Sequence, residues 1–243
     1  MARSAAYRPL VLTLVALALL IAWDSTSLDL VLARLFATPA GFPWRDEWFL
    51  GKVMHEGAKS LSWVLVIGLF VCIRWPVGIL RRLSVRERAQ LAVTTVVSVL
   101  VISLIKHSSA TSCPWDLQAF GGTARYVSHW SWGVKDGGGG KCFPAGHASA
   151  AFAYLGGYFA FRRSAPGVAR VWLGVALAAG LILGLSQQLR GAHYMSHTLW
   201  TAWICWAVAL IIDALVRRMP RPRGEALPVP PAMPPARPNL NGS

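Results

Sequence analysis

Three short stretches of this 243-residue chain gather the residue types that act on a phosphate. Lys106-His107 is the first, Phe143-Pro144-Ala145-Gly146-His147 the second, and Arg190-Gly191-Ala192-His193-Tyr194-Met195-Ser196-His197 the third. Lys and Arg neutralise phosphate oxygens, and the Arg guanidinium adds a planar fork of donors. Gly146 lets backbone approach a ligand closely. A helix beginning near Ala145-Gly146 would turn free N–H groups toward an anion. Histidine supplies a nucleophile or a proton donor near neutral pH. Taken together, these groups suit phosphoryl transfer. Taken singly, each has a plainer reading: a basic residue at a helix end anchors in the interface, and a lone His packs and hydrogen-bonds.

The elements that must position them are membrane helices. The chain is 55% hydrophobic and only 14% charged, with a mean hydropathy of +0.47. A soluble domain carries about 25% charged residues. The net charge of +14 does not indicate a nucleic-acid partner, because the basic residues fall between apolar runs rather than in one patch. Six segments, roughly 9–23, 57–73, 90–106, 147–162, 168–187 and 198–216, approach the ~20 apolar residues that a spanning helix needs. The expectation is an all-α, six-span bundle over residues 1–218. A Pro-rich tail, residues 219–243 with eight prolines, is expected to be disordered. With the N-terminus cytoplasmic, 15 of the 24 Lys and Arg fall on the cytoplasmic side, so both termini are expected there. All three polar clusters then share the opposite face. Trp23, Trp63, Trp75, Trp172 and Trp200 fall near span ends, where indole prefers the interface.

The order Lys106-x6-Cys113-Pro114, Pro144-Ala145-Gly146-His147 and Ser186-Gln187-x5-His193-x3-His197 resembles the three-part signature of the type 2 phosphatidic acid phosphatase superfamily, K-x6-R-P, P-S-G-H and S-R-x5-H-x3-D. The resemblance runs over roughly residues 100–212. It implies a metal-independent, cofactor-free membrane phosphatase acting on lipid phosphates or pyrophosphates. By position, His193 is the nucleophile that forms a phosphohistidine, His147 protonates the leaving oxygen, and Lys106 clamps the phosphate. Phosphatidic acid, phosphatidylglycerol phosphate, isoprenoid pyrophosphates and lipid A phosphates all present the phosphoryl group such a site would take.

The chain departs from the signature at Cys113, Ala145, Gln187 and His197, where the family has Arg, Ser, Arg and Asp. Arg190, three residues after Gln187, is expected to replace the lost arginine as main phosphate ligand, with Lys141 and the Ala145-Gly146 backbone beside it. His197 is expected to neighbour His193 on a helix and to accept its Nδ1–H, as the family's aspartate would. A zinc site built from His147, His193, His197 and Asp116 is a competing reading. A lipid phosphotransferase using the same intermediate and a non-catalytic lipid-phosphate binder or transporter are further alternatives. Oligomeric state is not legible.

Cys72 and Cys205 fall inside spans. Cys113 and Cys142 share the outer loop and can pair in an oxidising compartment such as a periplasm, which would place the protein in a bacterial inner membrane. Asp46, Glu47, His55 and Glu56 fall on the same side with no defined role.

Overall fold

In an apolar surrounding each backbone N–H and C=O must be satisfied within its own segment, which leaves helices as the outcome for these apolar runs. The computed structural model describes residues 2–131 and 133–220, and no β-strand forms among them. Helix α1 spans Ala2–Asp24 and the short α2 spans Leu28–Arg34. A π-helical stretch, Phe49–Gly57, runs into α3, Ala58–Arg74. Helix α4 covers Val85–Ser108, and α5, Ser149–Phe152, continues through a 3-10 turn into α6, Gly156–Phe161. Helices α7, Pro166–Leu189, and α8, Met195–Arg218, complete the bundle.

Local sequence explains several boundaries. Helix α4 opens on a capping box, in which the Glu87 N–H donates to Ser84 Oγ at 3.3 Å and the Ser84 N–H donates to Glu87 Oε2 at 2.9 Å. Pro166 supplies a preset first-turn φ for α7. That helix ends where Gly191 adopts φ 73° and returns its N–H to the Gln188 carbonyl at 2.9 Å.

Five helical stretches are long and apolar enough to cross a membrane: Tyr7–Asp24, Phe49–Arg82, Val85–Ser108, Pro166–Leu189 and Met195–Arg218. The expected count of six is not confirmed at its fourth member. There the helical run Ser149–Phe161 has 13 residues, about 20 Å of rise against a hydrocarbon layer of about 30 Å. This run is apolar all round because it is the core of the bundle, with Phe152, Leu155 and Phe161 fully buried. Gly180 admits the Phe152 ring against its backbone, and Gly184 admits Thr198, so neighbouring helices approach closely. The tail expected from residue 219 lies, beyond Pro220, outside the described residues.

The rods alternate in direction, so the ends of α1, α4 and α7 meet the starts of α3, α5 and α8. Two aspartates fasten that end. Asp24 Oδ2 accepts from the indole N–H of Trp200 at 2.7 Å and of Trp130 at 2.9 Å, and pairs with His129 Nε2 at 3.2 Å. Asp29 accepts the Ser196 N–H at 3.0 Å and the Ser196 hydroxyl. Its carboxylate therefore caps α8 from another helix, where Tyr194 at the N-cap position provides no side-chain cap. Trp200 is thus a buried hydrogen-bond donor rather than an interface ring, and Trp172 donates to the Tyr154 carbonyl at 2.7 Å. Trp63 and Trp75 remain exposed.

Asp29→Ala leaves two buried donors of Ser196 without an acceptor. The expected loss is about 1–3 kcal/mol, read as a lower thermal midpoint of the detergent-solubilised protein. An unchanged midpoint would show that α8 does not need this cap.

Candidate active site

Tracing the backbone between the second and third motifs shows how the site is held. The Cys142–Ala145 segment lies against the first turn of α8. His197 Nδ1 is 3.1 Å from the Cys142 carbonyl, which can only accept, so Nδ1 carries the proton. The Ala145 N–H donates to the His197 carbonyl at 3.3 Å, and Thr201 Oγ1 donates to the Ala145 carbonyl at 3.1 Å. Ala145 is fully buried, and its N–H is already used within the protein. Helix α5 begins at Ser149, three residues after Gly146, so the expected helix start at Ala145-Gly146 is displaced.

His193 lies in the α7–α8 connection, not on a helix, because Gly191 ends α7 and α8 starts at Met195. This corrects the expected i, i+4 pair. The His193 and His197 rings are 6.0 Å apart between centroids. His197 is fully buried and turns toward His129, Phe143 and Tyr194, at centroid distances of 5.6, 5.2 and 5.0 Å. It does not hydrogen-bond His193 and cannot stand in for the aspartate. His193 Nδ1 instead faces Cys142, 3.5 Å from its Sγ.

His147 is mostly enclosed, 6.4 Å from His193 and packed against His55 at 3.6 Å between ring centroids, the two planes tilted by 31°. The His147 Nδ1 atom is buried without a partner among the described residues. Burial, with the nearby His55, Lys106 and Arg190 charges adding to it, lowers its pKa to about 3. Burial likewise holds His193 well below the usual imidazole range, with Lys106 the next cause. Both rings are therefore neutral at pH 7 in the unliganded protein.

Lys106, from the last turn of α4, packs its stem along Gly146, where an added Cβ would meet Lys106 Cδ at 3.4 Å. Arg190 caps the end of α7. Its Nε donates to the Arg45 carbonyl at 2.8 Å and its Nη1 to Gln187 Oε1 at 3.2 Å. Gln187 is buried, and its Oε1 holds the Arg190 guanidinium. Arg45 and Arg190 both lie over the Trp115 ring, at 4.7 and 6.0 Å. Lys141 is exposed, takes φ 56°, and does not line the cavity beside Lys106. That cavity, of about 290 Å³, is walled by Lys59, Trp63 and Val66 of α3, Val96, Leu100 and Lys106 of α4, and Gly146-His147.

Among the described residues the competing zinc set does not converge. The one trio whose ligand atoms do is Cys113, Cys142 and His193, and there the two sulfurs are joined as a disulfide, with Cα atoms 5.2 Å apart.

A family model described as the PAP2 superfamily matches residues 88–220, more than half of the chain. The chain belongs to the PAP2 superfamily. No curated protein and no solved structure matches it. The PAP2 match begins inside α4 and ends just past α8, so α1, α2 and α3 lie outside it. Asp24, Asp29 and His55, which sequence reasoning left without roles, all come from that outside part. Apart from Trp23, whose indole N–H donates to Asp29 Oδ1 at 3.0 Å, their partners are distant in sequence, and no local spacing announces them.

The disulfide closes a loop across a separation of 29 residues. For that length the chain-entropy model gives about 3–4 kcal/mol. The double variant Cys113→Ser, Cys142→Ser is expected to unfold at lower temperature by a corresponding margin, and reductant is expected to reproduce the shift in the parent protein alone. Equal stability of the two proteins would remove the cross-link's role.

Proposed function

We propose that this protein is a membrane phosphatase that cleaves a lipid phosphate or lipid diphosphate through a phosphohistidine at His193, without a metal. PAP2 superfamily membership supports the phosphatase class. The observation that carries the finer reading is the convergence of His147, His193, Lys106 and Arg190 on one end of the bundle, next to a cavity that continues into apolar helix surface. From Lys106 to Val96 along α4 the wall extends about 15 Å, enough for part of a lipid chain beside a bound headgroup.

In this reading the neutral His193 attacks phosphorus through Nε2 while its Nδ1 faces Cys142. The bond from phosphorus to the leaving oxygen breaks, and His147, protonated once the bound anionic headgroup raises its pKa, delivers a proton to that oxygen. Lys106 and Arg190 hold the phosphoryl oxygens. Water then cleaves the N–P bond, with His147 taking the proton back. Interception by an alcohol instead of water would make the same site a phosphotransferase. The site faces the non-cytoplasmic side, both termini are cytoplasmic, and the Cys113–Cys142 bond supports a periplasm-facing site in a bacterial inner membrane. The substrate pool comprises phosphatidic acid, phosphatidylglycerol phosphate, isoprenoid diphosphates and lipid A phosphates.

Purified protein is expected to release phosphate from such lipids in excess EDTA, and His193→Ala to lower kcat by about a thousandfold or more. Turnover that EDTA abolishes and zinc restores would overturn the histidine mechanism. Lipid-phosphate binding with no turnover would make the protein a binder. In nitrogen-15 spectra, His193 is expected to stay neutral at about pH 5.5, where an imidazole of ordinary pKa is mostly protonated. A protonated ring at that pH would contradict the buried, cation-flanked environment.

A further inference from the structure

Gly51, His55 and Lys59 recur every four residues along the π-helical stretch and the start of α3, and each meets a different part of the site. Gly51 faces Arg190, where an added Cβ would stand 3.9 Å from Nη2. His55 covers the His147 ring at 3.6 Å. Lys59 shares the walls of one cavity with Lys106 and His147. The residues lining that cavity include no carboxylate, and Glu56 is drawn outward to Lys52 at 3.1 Å. We propose that His55 and Lys59 form a second anion subsite beside Lys106 and Arg190, and that it selects a lipid diphosphate over a lipid monophosphate. The proposal rests on the reading of the protein as a lipid phosphatase.

Charge matching is the first argument. A phosphate monoester carries about −1.5 to −2 at pH 7, and Lys106 with Arg190 already balances it. A diphosphate adds a further anionic group, and Lys59 on the facing helix is the cation that lines the same cavity as Lys106 and can meet it. The leaving group is the second argument. His193 Nε2 bonds to the terminal phosphorus, the bond from that phosphorus to the bridging oxygen breaks, and the electron pair stays on the departing lipid monophosphate. Water later removes the phosphoryl group from His193 as inorganic phosphate. A departing phosphate is a far weaker base than an alkoxide and needs little protonation, which suits a His147 held neutral at pH 7. The charge developing on the internal phosphate falls beside Lys59 and His55. The apolar continuation of the cavity along Val66, Val96 and Leu100 makes the carrier a lipid rather than free pyrophosphate.

The test compares a prenyl diphosphate with the monophosphate of the same chain, using full-length protein in detergent. The parent protein is expected to favour the diphosphate in kcat/KM. Lys59→Met is expected to cut that preference by about tenfold or more, the worth of one charge-assisted contact, and Lys59→Arg to retain it. An unchanged ratio in Lys59→Met, or equal losses on both substrates, would overturn the subsite. Cleavage of inorganic pyrophosphate as efficient as that of the prenyl diphosphate would overturn the lipid assignment. Calorimetry with inorganic pyrophosphate and orthophosphate reads the subsite without turnover. Tighter pyrophosphate binding that Lys59→Met erases supports it, even where no His193-dependent hydrolysis is found and the phosphatase reading fails. Equal binding of the two anions overturns it.

Discussion

The active end of this bundle depends on how the Cys142–Ala145 segment is hydrogen-bonded to the first turn of α8. Three bonds do this: His197 Nδ1–H to the Cys142 carbonyl, the Ala145 N–H to the His197 carbonyl, and Thr201 Oγ1 to the Ala145 carbonyl. All lie in fully or nearly fully buried backbone, where an unmade bond costs the full desolvation of the group. They set the position of His147, which follows Ala145 by two residues, relative to His193, which precedes the same turn of α8. The disulfide then ties Cys142 to the start of the outer loop. Asp29 caps the same turn from α2. A shift of α8 by a fraction of a turn would therefore break its contacts with the Cys142–Ala145 segment, with Asp29 and, through Trp200, with Asp24.

Composition made the membrane bundle legible, and spacing made the motif histidines legible. Both signals are local, and both report what a segment buries or presents. The misreadings came where two local signals competed. Residues 147–162 looked like a span because core burial and lipid exposure select the same apolar side chains; only the length of the helical run separates them. His193 and His197 looked like a helical pair because their spacing is four, yet Gly191 is a helix-ending signal two residues before His193. Read first, that glycine would have placed His193 in the connection and removed its pairing with His197. The roles of Asp24, Asp29 and His55 were not legible at all. The partners that join them to the site, Trp200, Ser196 and His147, lie roughly 90 to 180 positions away in sequence, and a lone acid or histidine at a helix end has many innocent uses.

In the proposed reading, the positive charge of the site is drawn from elsewhere in the chain. The family signature supplies three cations to a phosphoryl group, and this chain keeps Lys106 alone of the three. Arg190 enters from the end of α7, aimed by Gln187, the residue that occupies a lost arginine position. Cys113 occupies the other and forms a covalent tie where a cation would have stood. Lys59 and His55 arrive from α3 and the stretch before it, outside the residues that the family model matches. Coulomb attraction depends on where a charge lies and not on which helix carries it, so a cation from the facing helix can serve as well as one from the motif.

The missing aspartate has a further consequence for the chemistry. A carboxylate beside the nucleophile both orients it and stabilises the imidazolium that develops as it attacks. Here His193 is buried against Cys142 and flanked by Lys106, and a backbone carbonyl and a disulfide sulfur can orient a ring without offering it a negative charge. In the proposed mechanism the developing imidazolium is therefore less favoured, and His193 as nucleophile would depend more on its leaving group. His147, also neutral, gives little acid assistance until an anionic headgroup raises its pKa. Both departures push the same way. A phosphate leaving group, which departs without protonation, suits this pair of histidines better than an alkoxide does, and a second phosphate brings the extra negative charge that both rings lack.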